Sequence, residues 1–585
     1  MMEYTINGTI NNYGFCIKKK RYNNEVFDIL KNFLTLEPKN TFIFDTPKDD
    51  TVKLWYEDDK FFIFSKFATT VKIDITKLKN ENSEKYNFLT INNVKYTHIK
   101  FNIKKYNYKN EKTNFEFKGS LRDYQQKIMD DTMKIFNENK NGIKGGIWKI
   151  SCGGGKTLMA IYLAHLLKLK TLIVVPKNFL ITQWTTEIKN FTNADVGVIQ
   201  RNNVDVKDKQ FVVASMKSLC IKKYDDSIFD GFGLVIYDEV HNFTSKVNSI
   251  ALLKTNFEYT IGLSATPENT RGLIKVLNYT IGNILAEYER KLNFRVVVKK
   301  INFRSSDPNF CLKKRKFWNP KKKRKEEVAN VAEMIADLMN NTKRNELIIN
   351  IINYVKSLGR NIFVFSSRTD HLKILKKMID DKLVENKEAH IYSTYIYDAS
   401  TKEKTRKIAT EEGNILCCIS HMTQEGLNSQ NINTLIYALP FNNTDRYNVQ
   451  SAGRIIRKNE LEKLLDIPMI IDVSDLIGTF KTWGDNRDSI YLEKNYYMQI
   501  YNWNDDKFMD EDDEKKDPFK IMFNDICDEK FIAENFLIKD VENNGTKNKK
   551  ENKAEEHDES IDDLIDNVFD VIDNDDTDTD RDEDK

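Results

Sequence analysis

The chain has 585 residues, of which 40% are hydrophobic and 31% charged, and its formal net charge is +3. This length allows several domains, and the apolar content is ample for packed cores. No apolar run approaches the roughly eighteen residues of a membrane span and no leader pattern opens the chain, so we expect neither a membrane partner nor export. The seven cysteines form no C-x-x-C pair, which argues against a zinc site and a disulfide framework.

Residues 1–117 are rich in Tyr, Phe, Thr, Val and Ile, and they contain alternating runs such as DKFFIFSKF. This pattern predicts a small accessory domain made mainly of strands. The stretch 96–112 mixes lysines with aromatic residues. That mixture fits a surface that tracks a nucleic-acid strand, and it fits a solvated edge strand equally well.

The segment SCGGGKT, at 151–157, lies between a predicted buried strand and an apolar helix. Glycines let backbone N–H groups close around phosphate oxygens, and the helix N-terminus adds partial positive charge. Lys156 can then reach the terminal phosphates, and the Thr157 hydroxyl can ligate Mg²⁺. The pattern therefore predicts an ATP site, although Ile150 stands where the general motif has its first glycine. The loop residues assigned to nucleotide binding are Cys152, Gly153, Gly154, Gly155, Lys156 and Thr157.

An apolar strand at 234–237 ends in Asp238 and Glu239. This order suits a carboxylate that holds Mg²⁺, Asp238, beside one that polarises the attacking water, Glu239. Around these motifs, residues 118–290 alternate strand and helix patterns over short loops, which predicts a parallel sheet with helices on both faces. The loop and the carboxylate pair together predict ATP hydrolysis.

A second alternating run covers residues 341–480 and predicts a second sheet of the same kind. The segment between the runs, 291–340, is predicted to be a basic linker or insert, and it contains KKRKFWNPKKKRKEE at 313–327. That block fits a nuclear localisation signal, a phosphate-contacting loop or a solvated linker; Phe317 and Trp318 favour nucleic acid, because a ring can stack on a base. Residues 481–540 are aromatic-rich and are predicted to form a helical extension.

Charge is unevenly distributed along the chain. Residues 551–585 hold seventeen acidic and three basic residues, a net charge of −14, so the rest of the chain carries +17. A basic body favours a polyanionic partner. The tail, 541–585, has too few apolar residues to fold alone and is predicted to be disordered. Apolar residues recur at helical spacing over 561–572, so three interpretations stay open: a solubilising tail, a helix that docks on a protein partner, or a competitor of nucleic acid.

These motifs resemble those of superfamily 2 helicases and translocases of the DExH kind, and the remaining family motifs follow in order over residues 118–475. LRDYQ at 121–125 is similar to the adenine-side element, SATP at 264–267 resembles the coupling motif, and QSAGRIIR at 450–457 matches the sixth motif. The resemblance implies two RecA-like parallel-sheet lobes, ATP and Mg²⁺ as ligands, and a nucleic-acid partner. LRDYQ, DEVH and the short spacing are similar to the group that contains xeroderma pigmentosum group B type helicases and the poxvirus transcript-release DNA helicase.

The same resemblance implies roles for single residues. Gln125 would hydrogen-bond the adenine base. A fixed positive charge from the second lobe would stabilise the transition state at the terminal phosphate; the residues implied there are Gln450, Arg454 and Arg457. The residues implied to couple hydrolysis to motion are His241, Ser264 and Thr266. Contacts to the nucleic-acid backbone, which would be independent of sequence and dependent on salt, are implied for loops at Lys177, Ser215, Ser366 and Ser420.

We therefore expect a nucleic-acid-dependent ATPase that acts as a DNA helicase or translocase. The resemblance favours DNA over RNA, and a task in viral transcription termination, transcript release or DNA remodelling. An intracellular location is expected, in the host cytoplasm or the virion for a viral protein. The alternatives are an RNA helicase, a translocase that strips complexes from double-stranded DNA, and an ATP-gated scaffold without turnover. The intact set of Lys156, Asp238, Glu239 and Arg457 favours an active enzyme.

Overall fold

The computed structural model describes residues 2–12, 14–38, 51–78, 86–139, 143–151, 153–268, 272–289, 294–319, 324–398, 401, 405, 408–409, 413–419, 432–440, 467–511 and 516–536. The chain divides into two compact units. Unit 1 is Met1–Thr41 with Lys48–Arg290, and unit 2 is Phe42–Pro47 with Lys291–Lys585. The predicted tail, 541–585, lies outside the described residues. None of the helices in the described part of the chain has the length and apolar character that a membrane span requires.

Unit 1 begins with the strand-rich region that the sequence predicts. Six of its strands form one sheet in the order β5-β6-β2-β1-β10-β7. Its elements are β1 (Glu3–Asn11), β2 (Gly14–Lys18), α1 (Asn24–Phe33), β3 (Thr35–Leu36), β4 (Val52–Lys53), β5 (Trp55–Glu57), β6 (Phe61–Phe64), β7 (Ile73–Asp74), β8 (Leu89–Ile91), β9 (Val94–Tyr96) and β10 (His98–Asn107).

The rest of unit 1 is a parallel sheet with helices on both faces. Its order is β14-β13-β15-β12-β16-β17-β11-β18, and only the short β14 runs antiparallel to its neighbour. Its elements are α2 (Asp123–Glu138), β11 (Lys144–Ile150), α3 (Lys156–Leu167), β12 (Thr171–Val175), α4 (Phe179–Phe191), β13 (Val196–Gln200), β14 (Asn203–Val204), β15 (Phe211–Ser215), α5 (Met216–Ile221), β16 (Leu234–Asp238), α6 (Ser249–Lys254), β17 (Tyr259–Ser264), α7 (Ile274–Thr280) and β18 (Ile284–Tyr288).

The two faces of this sheet belong to different cores. Strands β12 and β15 are buried along their whole length, as expected for strands covered on both sides. One core contains α3 and α4 with one face of the sheet. The other joins the opposite face, with α5, α6 and α7, to the accessory domain. The accessory domain therefore packs on one face of the first large sheet.

Unit 2 contains a second large sheet, in the order β23-β24-β22-β25-β26-β19-β27-β28. All of its pairings are parallel except that of β28. Its elements are β19 (Val297–Arg304), β20 (Lys314–Asn319), β21 (Arg324–Ala329), α8 (Val331–Asn340), α9 (Thr342–Ser357), β22 (Ile362–Ser366), α10 (Thr369–Glu385), β23 (Thr394–Tyr397), β24 (Ile415–Ile419), β25 (Thr434–Tyr437), β26 (Met469–Asp475), α11 (Gly478–Glu493), β27 (Tyr497–Asn504), β28 (Lys507–Phe508), α12 (Pro518–Phe523) and α13 (Glu529–Asn535).

The predicted class, two parallel α/β sheets with a strand-rich N-terminal region, is confirmed, but two segments differ from expectation. The segment 291–340 is not only a linker, because it supplies the interior strand β19, and the basic block within it forms the hairpin β20–β21. The extension 481–540 is not wholly helical, because β27 and β28 add to the same sheet. Lys299 and Lys300 interrupt the apolar run of β19, and each is buried and paired with a carboxylate, of Asp525 and Asp488 respectively.

Candidate ATP site

The loop between β11 and α3 turns through two glycines with left-handed backbone conformations. Gly153 has a φ of +76° and Gly155 a φ of +74°, which L side chains rarely adopt. A Cβ atom at Gly155 would also clash with Nε2 of Gln125. Because α3 begins at Lys156, the N–H groups of its first turn, which have no partner within the helix, lie beside this loop. This geometry suits a phosphate group.

Lys156 and Thr157 open helix α3 directly after this loop. Nζ of Lys156 donates a hydrogen bond to the Ile150 carbonyl oxygen at 3.0 Å. Thr157 is half-buried at the second position of the helix. Cys152 lies outside the described residues, so its place in the site stays a prediction.

Asp238 ends strand β16, which is separated from β11 by β17 alone. Oδ2 of Asp238 accepts a hydrogen bond from Nε1 of the buried Trp184 at 2.9 Å. Burial raises the pKa of Asp238, whereas the hydrogen bond from Trp184 and the charge of Lys156 act to lower it. Asp238 and Lys156 therefore interact electrostatically at the carboxyl edge of the sheet.

Glu239 begins a chain of polar contacts that joins the ends of β16 and β17. Its φ of +47° is left-handed, a conformation that is uncommon for non-glycine residues and recurs at functional sites. Oε2 of Glu239 lies 3.5 Å from Nδ1 of His241, and Nδ1 lies 3.1 Å from Oγ of Ser264. Nδ2 of Asn242 lies 3.1 Å from Nε2 of His241, so both ring nitrogens have polar neighbours. Oγ of Ser264 accepts from the Thr266 N–H at 3.1 Å, so the structure brings the three predicted coupling residues together with Glu239.

Gln125 braces the phosphate-binding loop. Its side chain is buried, its Oε1 accepts from the Arg122 N–H at 2.9 Å, and its Nε2 donates to the Gly154 carbonyl oxygen at 3.1 Å. The Tyr124 hydroxyl donates to the same carbonyl at 3.0 Å, and its ring stacks on that of Tyr288 with centroids 3.8 Å apart. The contact of Gln125 with adenine stays a prediction, since its amide is engaged with the loop here.

Two residues of the site carry no predicted role, Trp184 and Tyr124. Tyr124 lies inside LRDYQ at 121–125. Trp184 ends LIVVPKNFLITQW at 172–184, which resembles the family's first nucleic-acid contact strand and loop, and these positions are the sequence signal that points to both residues. Their partners, Asp238 and Gly154, lie 54 and 30 positions away along the chain. The contacts themselves therefore depend on the fold.

Known proteins resemble this chain in the same region. A family model described as the res subunit of type III restriction enzymes matches residues 118–269. A protein of Acanthamoeba polyphaga mimivirus, named as an ATP-dependent RNA helicase, is 29% identical over 86% of this chain and 88% of its own length. A protein of Invertebrate iridescent virus 6, named as a helicase, is 26% identical over 66% of this chain and 84% of its own length. A DNA 3'-5' translocase of Sulfurisphaera tokodaii is 32% identical over 29% of this chain and 36% of its own length. The chain is an ATP-dependent superfamily 2 helicase.

The helicase exposes only part of its predicted nucleic-acid contacts. Lys177 is exposed in the loop after β12. Ser215 and Ser366 end strands β15 and β22, but they are only 2% and 1% exposed. Oγ of Ser366 also accepts from the Arg368 N–H at 3.1 Å. With so little exposed surface, neither serine offers its hydroxyl to a phosphate in this structure, and their contacts with nucleic acid stay predictions. The exposed group beside Ser215 is Lys217.

Two side chains near the carboxyl edge of the first sheet, those of Asp238 and Thr157, are predicted to bind Mg²⁺. Within the described ranges, no group of three or more His, Cys, Asp or Glu side chains could hold a metal ion. Mg²⁺ in nucleotide enzymes takes only one or two protein carboxylates, and phosphate and water supply most of its remaining ligands. The carboxylate of Asp238 and the hydroxyl of Thr157 are ligands of this hard type, so the residues fit Mg²⁺ that arrives with ATP.

Besides Cys152, four predicted residues of the helicase lie outside the described residues: Ser420, Gln450, Arg454 and Arg457. Their roles in phosphate and nucleic-acid binding stay predictions.

Proposed function

We propose that this helicase is a DNA-stimulated ATPase that moves along DNA. The observation that carries the proposal is the convergence of Lys156, Asp238 and Glu239 at one edge of the first large sheet. Asp238 is close enough to Lys156 for the lysine charge to act on its pKa, and Glu239 follows directly in the chain. A cation for phosphates, a metal-holding carboxylate and a second carboxylate for water are the parts that phosphoryl transfer needs.

In the proposed reaction, backbone N–H groups of the loop at 153–157 bind the phosphates. Nζ of Lys156 exchanges the Ile150 carbonyl for phosphate oxygens, since a cation prefers an anion to a neutral dipole. Asp238 and Thr157 would hold Mg²⁺, which supplies neutralising charge to the phosphates when bound. Glu239 accepts a proton from the attacking water. The imidazole of His241, whose Nδ1 is 3.5 Å away, positions the Glu239 carboxylate.

Coupling to motion is proposed to begin at this same pair. A change in charge on Glu239 is felt by His241 and passed by hydrogen bonds to Ser264 and Thr266, in the loop that follows β17. The role proposed for Gln450, Arg454 and Arg457 at the terminal phosphate rests on the motif resemblance alone.

DNA is the proposed substrate, and viral transcript release or DNA remodelling in the host cytoplasm or virion is the proposed task. The resemblance to group B type helicases and the poxvirus transcript-release helicase supports DNA, as does the name of the archaeal relative, a DNA translocase. The second candidate is an RNA helicase, which the name of the mimivirus relative favours.

The deciding measurement is the steady-state ATPase rate with single-stranded DNA, double-stranded DNA, RNA of matched sequence, or no nucleic acid. Stimulation by DNA above that by RNA is expected, and it should fall as salt rises because the contacts are to phosphates. If RNA stimulates the ATPase rate more strongly than DNA does, the substrate is RNA and the proposal of DNA is wrong. An ATPase rate that is the same with and without each nucleic acid would overturn the proposal. Glu239→Gln serves as the blank for contaminating ATPases.

A further inference from the structure

A cavity of about 820 Å³ lies within unit 1. One wall comes from the accessory domain, at β4 and β5 and just beyond β1 and β10, and the other comes from the segment after α5 and from α6. Its described lining includes no residue of the phosphate-binding loop and neither Asp238 nor Glu239. The volume is within the range of roughly 300–1,000 Å³ that ligand pockets occupy.

The cavity is basic. Five lysines and two aspartates line it. Lys53 and Lys109 stand on the accessory wall and Lys223 on the opposite wall, and all three are exposed. Among the described residues, none of these three lysines takes part in an ion pair. Positive charge on both walls suits an anion that extends through the space better than a single phosphate on one side.

Aromatic rings line the same space. Nε1 of Trp55 donates to Oγ1 of Thr35 at 3.1 Å, and the indole stacks on Phe62 with centroids 5.5 Å apart, so its orientation is held. On the other wall, the hydroxyl of Tyr224 donates to the Arg201 carbonyl oxygen at 2.7 Å, which anchors that ring. Anchored rings beside lysines are the composition of sites that bind single-stranded nucleic acid without sequence preference.

Helix α5 connects the cavity to the carboxyl edge of the first large sheet. Lys217 is exposed in the helix at that edge, close in the topology to Lys177, because β12 and β15 are parallel neighbours. Lys223 follows the other end of α5. Six helical residues rise by about 9 Å, and nucleotides along one strand are spaced by about 3.4 Å. A strand bound at the sheet edge therefore reaches the cavity within a few nucleotides.

We propose that this cavity is a second nucleic-acid site, which holds one or two unpaired nucleotides of the strand that the helicase tracks. The bases lie against Tyr56 and Tyr224 and beside Trp55, whose ring stacks on Phe62 and has Nζ of Lys53 at 5.7 Å from its centroid. The phosphates lie near Lys53, Lys109 and Lys223. The inference rests on the proposed function in one respect, that the partner is nucleic acid. The inference gives the accessory domain a role, because this domain forms one wall of the nucleotide-binding cavity and elements of the ATP-binding region form the other.

The first test measures binding of a dye-labelled single-stranded oligonucleotide by anisotropy, at several salt concentrations. The variant is the double charge removal Lys53→Ala with Lys223→Ala, one from each wall. The control is Lys20→Ala with Lys207→Ala, two exposed lysines of unit 1 outside the cavity. The cavity variant should bind at least tenfold more weakly, and its salt slope should fall by about 1 to 1.5, as for two lost phosphate contacts on a single strand. The control should change affinity less than twofold.

Each outcome separates this inference from the proposed function. Equal affinity of the cavity variant and the control, with wild type binding normally, overturns the cavity site and leaves the ATPase proposal intact. Absence of binding by wild type overturns the nucleic-acid proposal itself. The ATPase rate without nucleic acid should be the same in all three proteins, because neither pair of lysines belongs to the ATP site; this checks that the variants are folded.

The second test locates the strand directly. An oligonucleotide with 5-iododeoxyuridine is cross-linked by light to wild-type protein, and the adducts are mapped by mass spectrometry. Adducts on Trp55, Tyr56 or Tyr224 support the site. Adducts confined to other residues overturn it. Loss of these adducts on addition of a free mononucleotide, while the oligonucleotide stays bound, would also overturn it in favour of a small-nucleotide pocket.

Discussion

The carboxyl edges of the two large sheets use charge in opposite ways. In unit 1, Oδ2 of Asp238 accepts from a neutral indole, and Nζ of Lys156 donates to a backbone carbonyl. In unit 2, Asp475 at the end of β26 receives two hydrogen bonds from Arg344, at 2.7 and 2.9 Å, with both side chains fully buried. The carboxylate of one edge meets neutral groups, and that of the other is locked to a guanidinium.

This difference distinguishes charged residues that suit a reaction from charged residues that stabilise the fold, on two similar sheets. A charged group that is hydrogen-bonded only to a neutral group can exchange that partner for phosphate or Mg²⁺ when these bind. A buried bidentate ion pair cannot, because breaking it would leave an unpaired charge in the core. Unit 2 repeats the pattern earlier in β26, where Arg487 donates two hydrogen bonds of 2.7 Å to Asp472 and Tyr491 donates to the same carboxylate. The charged groups of the first edge can therefore exchange their neutral partners for phosphate or Mg²⁺, whereas the carboxylates in the described part of the second edge are fixed by buried ion pairs.

The largest effect should follow from removing the reactive carboxylate. Glu239→Gln keeps the size of the side chain but cannot accept a proton, so kcat for ATP should fall by as much as about 10⁴-fold. ATP binding, measured by equilibrium titration, should persist. Glu138→Gln, at an exposed position on α2, should leave kcat unchanged. A Glu239→Gln enzyme that turns over at more than a tenth of the wild-type rate would remove Glu239 from the chemistry.

The second largest effect should follow from breaking the buried ion pair between Arg344 and Asp475. Arg344→Met leaves Asp475 buried and unpaired, and it should destabilise unit 2 by about 3–5 kcal/mol. Hydrogen exchange of peptides from α9 and β26 should accelerate accordingly. Lys343→Met is the matched control on the same helix, since Lys343 is exposed and its pair with Asp506 is worth only about 0–1 kcal/mol. Exchange that is equal in the two variants would contradict a supporting role for Arg344.

The sequence predicts the reactive edge better than the supporting one, for a local reason. The loop at 153–157 and the pair Asp238–Glu239 are contiguous motifs, and each lies at the end of an apolar strand that periodicity reveals. Strand β19 is hidden because Lys299 and Lys300 interrupt its apolar run, and both are buried only because Asp525 and Asp488 reach them from distant segments. A pattern of residue types cannot show a partner that lies about 190 or more positions away.

Besides distant partners, the sequence motifs also fail to predict how exposed a residue is. Ser215 and Ser366 occupy the strand ends that the family resemblance implies, but both residues are buried. Gln125 likewise lies where its motif predicts, yet its amide bonds to the Gly154 carbonyl. Motif order thus predicts which strand end a residue occupies, and packing decides what it touches.

A smaller effect concerns lysines buried in each unit. Lys299 of unit 2 pairs with Asp525 at 2.5 Å, whereas Lys66 of unit 1 donates to the carbonyl oxygens of Phe257 and Glu258. Burial lowers the pKa of Lys66 from 10.5 to about 7. Between these values the unfolded chain binds more protons at this residue than the folded chain does, so its contribution to stability rises with pH.

Lys66→Met should remove that dependence. From pH 7 to pH 9, the free energy of unfolding of wild type should increase relative to that of the variant by about 2 kcal/mol. Urea unfolding at pH 7, 8 and 9 measures the difference. Lys20→Met, at an exposed position of the same domain, should follow wild type at each pH. Parallel stability curves for wild type and Lys66→Met would show that Lys66 stays charged in the fold through this range.

The smallest effect tests whether a neutral partner positions Asp238, the carboxylate proposed to hold Mg²⁺. Trp184→Phe keeps a buried ring but removes the Nε1–H that donates to Asp238 at 2.9 Å. One hydrogen bond to a charged group is worth about 1.5 kcal/mol at the low end of its range, so the Mg²⁺ concentration that half-saturates the ATPase should rise about tenfold, with a smaller change in kcat. Trp148→Phe is the matched control, because it also removes a buried indole hydrogen bond, to Thr132 at 3.0 Å, within the same unit. An equal Mg²⁺ shift in both variants would mean that packing, and not the hydrogen bond to Asp238, causes the shift. A shift confined to Trp184→Phe would show that the neutral indole holds the carboxylate of Asp238 in place.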